Sequence, residues 1–283
     1  MKKYYVISLI VTFVTAVVCL GVSGVAIYGW SKDDQKKAGK FFVEKTAVVK
    51  SIACIGDRKE VSRSAGLKPY TLSAAEISEV DLRVNLGKVV IVGTEAGEIK
   101  LVPTELEADC EMVVSQKKDS LKVEILKTDS KSSGCQGGVV AEIPLKTKIE
   151  VENAKGDVSI SKMIGEVKVR MGAGMATVLD SMKEVDIKIG AGDIELRGQS
   201  SEVKVQVGAG RIMAKLTQKI SDGEWSLENG AGDIEVEIPV EQTAEESLKV
   251  GMGKVTGTNL GKEDSNFKIK ARSGIGNIEV VKK

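Results

Sequence analysis

The chain has no histidine in 283 residues. That removes Ser-His and Cys-His nucleophilic catalysis and the commonest zinc ligand, and leaves general-base work to carboxylates or lysine. Aromatic residues are 4% of the sequence and form no stripe on outward strand positions, so the stacking platforms of glycan and single-strand binders are missing. Neither sign of charge dominates. With 41 Lys and Arg against 40 Asp and Glu, the net charge of +1 provides no bulk basic surface for nucleic acid. The carboxylates fall on outward strand positions, as on a solvated β surface. Cysteine occurs four times. Cys19 lies in the apolar N-terminal stretch, which leaves Cys54, Cys110 and Cys135. Cys110 and Cys135 flank irregular strands and can pair in an oxidising compartment, with Cys54 left odd, but three pairings are open.

What the chain does have is a repeat. In VDIKIGAGDIELRG, residues 185–198, Val185, Ile187 and Ile189 alternate with Asp186 and Lys188. After Gly190-Ala191-Gly192 the apolar parity shifts by one, to Ile194 and Leu196. A strand that merely continued would keep its parity, so the chain turns a corner at the glycines. The second corner glycine recurs at Gly156, Gly174, Gly192, Gly210, Gly232, Gly253 and Gly276, in steps of 18, 18, 18, 22, 21 and 23 residues. Such a period predicts an all-β, single-chain β-solenoid, or β-helix, with coils of about 18–23 residues that bury their apolar faces on one another. Six residues before those glycines stand Glu150, Lys168, Asp186, Lys204 and Ser226. The alternating signs predict parallel strands stacked in register, because like charges side by side repel. The extra residues of the longer steps collect in 217–224, 239–247 and 258–266, at one corner, where loops leave the core intact.

The copies GAGDIEL and GAGDIEV, the earlier NAKGDVSI and the lead-in at 139–157 resemble the bacterial putative-adhesin domain family, a β-helical domain of largely unknown function. The resemblance extends over residues 72–283 and implies fold rather than activity: the family offers no catalytic residue to carry over. Met175, Arg211, Lys254 and Asn277 depart from the aspartate found at Asp157, Asp193 and Asp233. Arg and Lys in that row speak against a stacked calcium ladder. Gly190-Ala191-Gly192 is not a phosphate loop, since a strand rather than a helix follows it. No catalytic, cofactor-binding or metal residue is expected.

The remaining segments organise the chain around the solenoid. No charge occurs in residues 4–30, 27 in all, against roughly 20 needed to cross a bilayer. This predicts one transmembrane anchor in residues 1–30, with Lys2 and Lys3 on the cytoplasmic side and the body outside, periplasmic or extracellular. The alternative is a signal peptide cut near Val22-Ser23-Gly24, with secretion of the rest. Residues 31–71 read as a linker and an ambiguous segment. Ser73 to Glu76 matches a capping box that would open a short helix. The solenoid is expected to start at Val80, with irregular first coils as a cap and Lys282 and Lys283 guarding the other end. These features describe a non-catalytic, membrane-tethered envelope module that offers the acidic loops 217–224, 239–247 and 258–266 to a partner. The alternatives are a self-assembling envelope scaffold and a polysaccharide-active enzyme; nucleic acid is not an expected partner.

Overall fold

The computed structural model describes residues 59–283 except 66, 129–133, 182 and 258–264. The apolar stretch 4–30, the linker to residue 58 and Cys54 lie outside the described residues. Among those described there is no helix, and none therefore long and apolar enough to cross a membrane.

The described residues are all-β and solenoid-like, with two 11-stranded sheets facing one another. Six strand pairs make up most of the stack: β9 (Lys148–Lys155) with β10 (Val158–Ser161), β11 (Val167–Ala173) with β12 (Ala176–Ser181), β13 (Glu184–Ala191) with β14 (Ile194–Gly198), β15 (Glu202–Ala209) with β16 (Ile212–Leu216), β17 (Gly223–Ala231) with β18 (Ile234–Ile238), and β21 (Phe267–Ile275) with β22 (Ile278–Lys282). The first strand of each pair lies in sheet A and the second in sheet B. Every pairing between these coils is parallel and in register, save one shift at Asp180 between β12 and β14, so Ile187 lies between Val169 and Val205, and Asp186 between Lys168 and Lys204. Alternate residues point between the sheets, where the core row is fully buried. Trp225 is part of it: its indole Nε1 donates to the Ser200 carbonyl at 2.9 Å, and its ring meets Phe267 edge-on at 5.8 Å.

The ends depart from sequence order. At the N-terminal end, β3 (Glu79–Leu86) and β4 (Val89–Thr94) form a coil directly beside β9 and β10, and the later β7 (Ser120–Lys127) and β8 (Gly138–Pro144) lie outside it. Antiparallel strands then close the stack: β6 (Cys110–Lys117) and β1 (Lys59–Ala65) on sheet A, β5 (Glu98–Thr104) and β2 (Tyr70–Ser73) on sheet B. The irregular first coils are thus a mixed cap, and the stretch before residue 72 already supplies two strands. Ser73 starts no helix. Its hydroxyl accepts from the Ala75 N–H at 3.4 Å, but Ile77 is buried in the core and β3 begins two residues later, which leaves no room for a helical turn.

At the C-terminal end, β19 (Glu245–Met252) and β20 (Val255–Gly257) are outermost, and the last coil in sequence, β21 with β22, is inserted beneath them. This corrects the placing of Lys282 and Lys283 as end guards. Lys283 instead fastens to β18, through its N–H to the Ile238 carbonyl at 3.0 Å and its ammonium to Glu237. The inward residues explain the inversion. Phe267, Ile269, Ala271, Ile278 and Val280 are all buried, whereas the matching row of β19 begins with Glu246 beside Ile269. A carboxylate between Trp225 and further aliphatics would be desolvated at a cost of several kcal/mol, so that coil takes the solvent side.

Candidate functional site

The corner glycines hold the stack together in a backbone row. Gly174 donates its N–H to the Ala191 carbonyl at 3.1 Å and Gly192 to that of Ala209 at 2.8 Å; the same step recurs from Gly156 through Gly210, Gly232 and Gly276. Gly192 has φ of +138°, and a Cβ there would stand 1.8 Å from the Gly174 carbonyl oxygen. Both the conformation and the close approach require glycine. Gly253, with φ of +139°, completes the row in the outermost coil.

The aspartates beside these glycines act on the next coil. Asp157 accepts from the Met175 N–H at 3.2 Å, Asp193 from that of Arg211 at 2.8 Å, and Asp233 from that of Asn277 at 2.8 Å. Asn277 then accepts from the Lys254 N–H at 3.1 Å. In stacking order the row reads Asp157, Met175, Asp193, Arg211, Asp233, Asn277, Lys254. Through Arg211 the departures alternate with aspartate, and after Asp233 two follow together, so no two carboxylates are neighbours.

At the opposite corner are the loops. Residues 217–222 and 239–244 are joined by Gln242, which is buried and accepts from the Ile220 N–H at 2.9 Å. Ser265, at the end of the third loop, donates to the Thr243 carbonyl at 2.9 Å. The loops therefore form one rim, in the spatial order set by the inverted last coil; Lys262, Glu263 and Asp264 lie outside the described residues. Along sheet A the rim continues as an acidic border. Glu184, Glu202 and Glu224 face one another on adjacent strands. Glu224 pairs with Lys270 at 2.7 Å and Glu245 with Lys268 at 3.0 Å, whereas Glu184 and Glu202 are exposed and make no ion pair among the described residues. Sequence reasoning followed only the central charged row and missed this one, although it is legible two positions earlier in each copy.

Cys110 and Cys135 form a disulfide with Cα atoms 5.9 Å apart, tying β6 to the segment before β8. Glu107, Asp109 and Cys110 are the one grouping of three ligand-type side chains among the described residues, and the disulfide removes the thiolate that would make it a transition-metal site.

Residues 77–282 match the Toastrack DUF4097 family. None of the curated proteins matches the chain. Among solved structures, a putative cell adhesion protein from Clostridium sporogenes is similar at 15% identity and a TM-score of 0.34, covering 77% of this chain and 100% of its own. Putative adhesins from Bacteroides fragilis (13% identity, TM-score 0.24) and Parabacteroides merdae (12%, 0.27) each cover 77% of this chain and 98% of their own. With 77–282 matched, the chain belongs to the Toastrack DUF4097 family.

Proposed function

We propose that the protein is a non-catalytic interaction module of the cell envelope, tethered through residues 1–30, whose rigid solenoid presents the acidic border and its loops to a basic partner surface. The carrying observation is the direct stacking of Glu184, Glu202 and Glu224. Like charges face to face on neighbouring strands cost a few tenths of a kcal/mol each, about 0.2–1. A row that accepts this cost without local cations at Glu184 and Glu202 is suited to cations brought by another molecule. Loops on a rigid scaffold are where binding residues commonly sit. The outermost coil disfavours the scaffold alternative, since Glu246 points toward the core at the edge that a further subunit would have to cover.

The test uses the full chain and an immobilised lysine-rich peptide. Binding should weaken steeply between about 50 and 300 mM salt. The pair Glu184→Gln and Glu202→Gln, combined with Asp222→Asn and Glu241→Gln at exposed loop positions, should abolish it while the melt stays unchanged. Undiminished binding after those changes would place the partner surface elsewhere. Deleting residues 1–30 should move the protein from the membrane pellet to the soluble fraction.

A further inference from the structure

The border of sheet A opposite the glutamates is different in shape as well as charge. In the six coils whose sheet A strands run from β11 to β19, the first corner glycine, Gly172, Gly190, Gly208, Gly230, Gly274 and Gly251, faces outward, and a Cβ on Gly190 would come within 2.6 Å of the Gly172 carbonyl oxygen; β9 and β3 carry Ala154 and Asn85 there. No side chain fits there, so a groove runs along the stack. One cleft of about 740 Å³ extends from Arg83 to Gly208, and a second of about 610 Å³ continues from Gln206 to Gly251. Gln206 and Val207 line both, which makes the groove continuous. From β3 to β19 it crosses eight strands, roughly 34 Å at about 4.8 Å per strand.

Its wall carries like cations in adjacent pairs. Arg170 faces Lys188 on β11 and β13, and Arg272 faces Lys249 on β21 and β19. Three acids also line the groove, and each is engaged within the protein. Glu124 pairs with Lys122 at 2.5 Å, Glu152 with Arg83 at 3.5 Å, and Glu228 accepts from Gln206 Nε2 at 3.0 Å. Of the cations, Arg170 is held by Asp186, but Lys188, Lys249 and Arg272 make no ion pair among the described residues. Arg83 and Arg170 are thus engaged like the acids, whereas Lys188, Lys249 and Arg272 are not ion-paired, and Glu228, met by a neutral amide, stands in register beside Arg272. A free Lys188 stands about 14 Å from the Arg272 and Lys249 pair, at about 4.8 Å per strand, along one straight channel. From β11 to β19 the channel floor is glycine backbone, giving way to Ala154, Asn85 and Leu126 at the other end, and no aromatic side chain lines it, so there is nothing for a nucleobase to stack on.

The geometry points to a binding site for an extended, non-aromatic polyanion, a chain of polyol phosphates or of acidic sugars laid lengthwise in the glycine-floored groove. Arg272 and Lys249 grip one end and Lys188 the middle, while the backbone floor between them admits the chain without side-chain interference. This site is separate from the acidic border, and the two surfaces select partners of opposite charge.

The experiment measures binding of the full chain to fluorescently labelled poly(glycerol phosphate), to polygalacturonate and to a single-stranded DNA of similar length, at about 50 mM salt. One or both of the first two should bind, and the tighter identifies the charged unit. A variant carrying Lys188→Glu, Lys249→Glu and Arg272→Glu should bind at least about tenfold more weakly. A control with Lys68→Glu, Lys146→Glu and Lys219→Glu, equal in net charge and away from the groove, should lose less than about twofold. Both variants should keep the wild-type affinity for the lysine-rich peptide or strengthen it, which separates this site from the acidic border. If the first variant does not fold, the corresponding glutamine triple carries the test, with an expected loss of about threefold. Equal losses in groove and control variants, tighter binding of DNA than of either polymer, or no binding by the wild type would each overturn the assignment.

Discussion

The two ends of the stack solve one problem by opposite means. A parallel two-sheet stack exposes, at each end, unpaired backbone groups and the apolar interior between the sheets. At the N-terminal end, extra chain is spent: β6 and β5 reverse direction, β1 and β2 pair antiparallel outside them, both sheets are covered, and β6 is stapled by Cys110–Cys135. At the C-terminal end no extra strand is added. The coil poorest in inward aliphatics is moved outermost, and its Glu246 reaches across the end of the core, so that a Cβ added at Gly257 on the other sheet would lie 3.5 Å from the Glu246 carboxylate. One end is closed by structure and the other by charge. At both, the coil nearer the chain terminus is tucked inside its neighbour, so the best apolar rows lie between other coils.

Between the ends neither device operates, and there the largest effect is expected. Ile187→Asp puts a carboxylate between Val169 and Val205 and should cost at least about 4 kcal/mol, whereas Lys188→Asp, one residue away and outward, should cost under about 1. Equal losses in urea melts of the two variants would contradict the two-face description.

Next in size is the covalent staple. Replacing Cys110 and Cys135 by serine should cost about 3 kcal/mol, for a disulfide closing a separation of 25 residues. Hydrogen exchange should then speed up in β6 and β7 and remain unchanged in β21 and β22. Uniform acceleration would mean that the ends are not independent.

The charge device is tested by Glu246→Leu. Removing a half-buried carboxylate from the core-facing row should leave stability the same or raise it by about 1 kcal/mol, yet produce concentration-dependent light scattering that the wild type lacks. A monomeric variant would show that Glu246 does not guard that edge.

The smallest effect concerns Glu237, whose carboxyl is held below the usual glutamate range by hydrogen bonds from Lys215 and then Lys283. A depressed carboxyl contributes stability above its unfolded value, and that contribution disappears as pH falls through the folded one. Glu237→Gln should lower Tm by under about 3 °C at pH 7 and flatten the acid limb of stability below the ordinary value of 4.5. An unchanged acid limb would show that the lysine contacts of Glu237 add nothing to stability.

The regular coils were legible because two signals coincide in them. Corner glycines fix where the chain turns, and the sign alternation through Glu150, Lys168, Asp186 and Lys204 fixes which residues stand side by side. Neither signal reports which coil is whose neighbour, so the inversions at both ends were invisible. The outer N-terminal coil turns at Gln136-Gly137, where the Gly137 N–H donates to the Leu86 carbonyl at 2.8 Å, but the preceding segment obscures the period. Strand β1, KEVSRSA, has no apolar alternation to betray it, because an edge strand of the cap is specified by its partner β6 rather than by its own pattern. The acidic border and the cationic groove wall were present as letters. Their meaning depends on parallel register, which turns positions 18 to 23 residues apart into contacts.

The corner row of alternating aspartates carries a consequence for how such a chain lengthens. Glu150 with Asp157, and Asp186 with Asp193, belong to acidic coils; Lys168 with Met175, and Lys204 with Arg211, belong to the coils between them. Over these four coils the repeating unit of charge is therefore a couplet. Loss of the β11–β12 coil alone would set Asp157 against Asp193 and Glu150 against Asp186, whereas loss of both coils from β11 to β14 would set Glu150 against Lys204 and Asp157 against Arg211. The couplet stops at the N-terminal coil, where Asp81 already faces Glu150. Shortening within the regular coils is expected to be tolerated better in steps of two than of one.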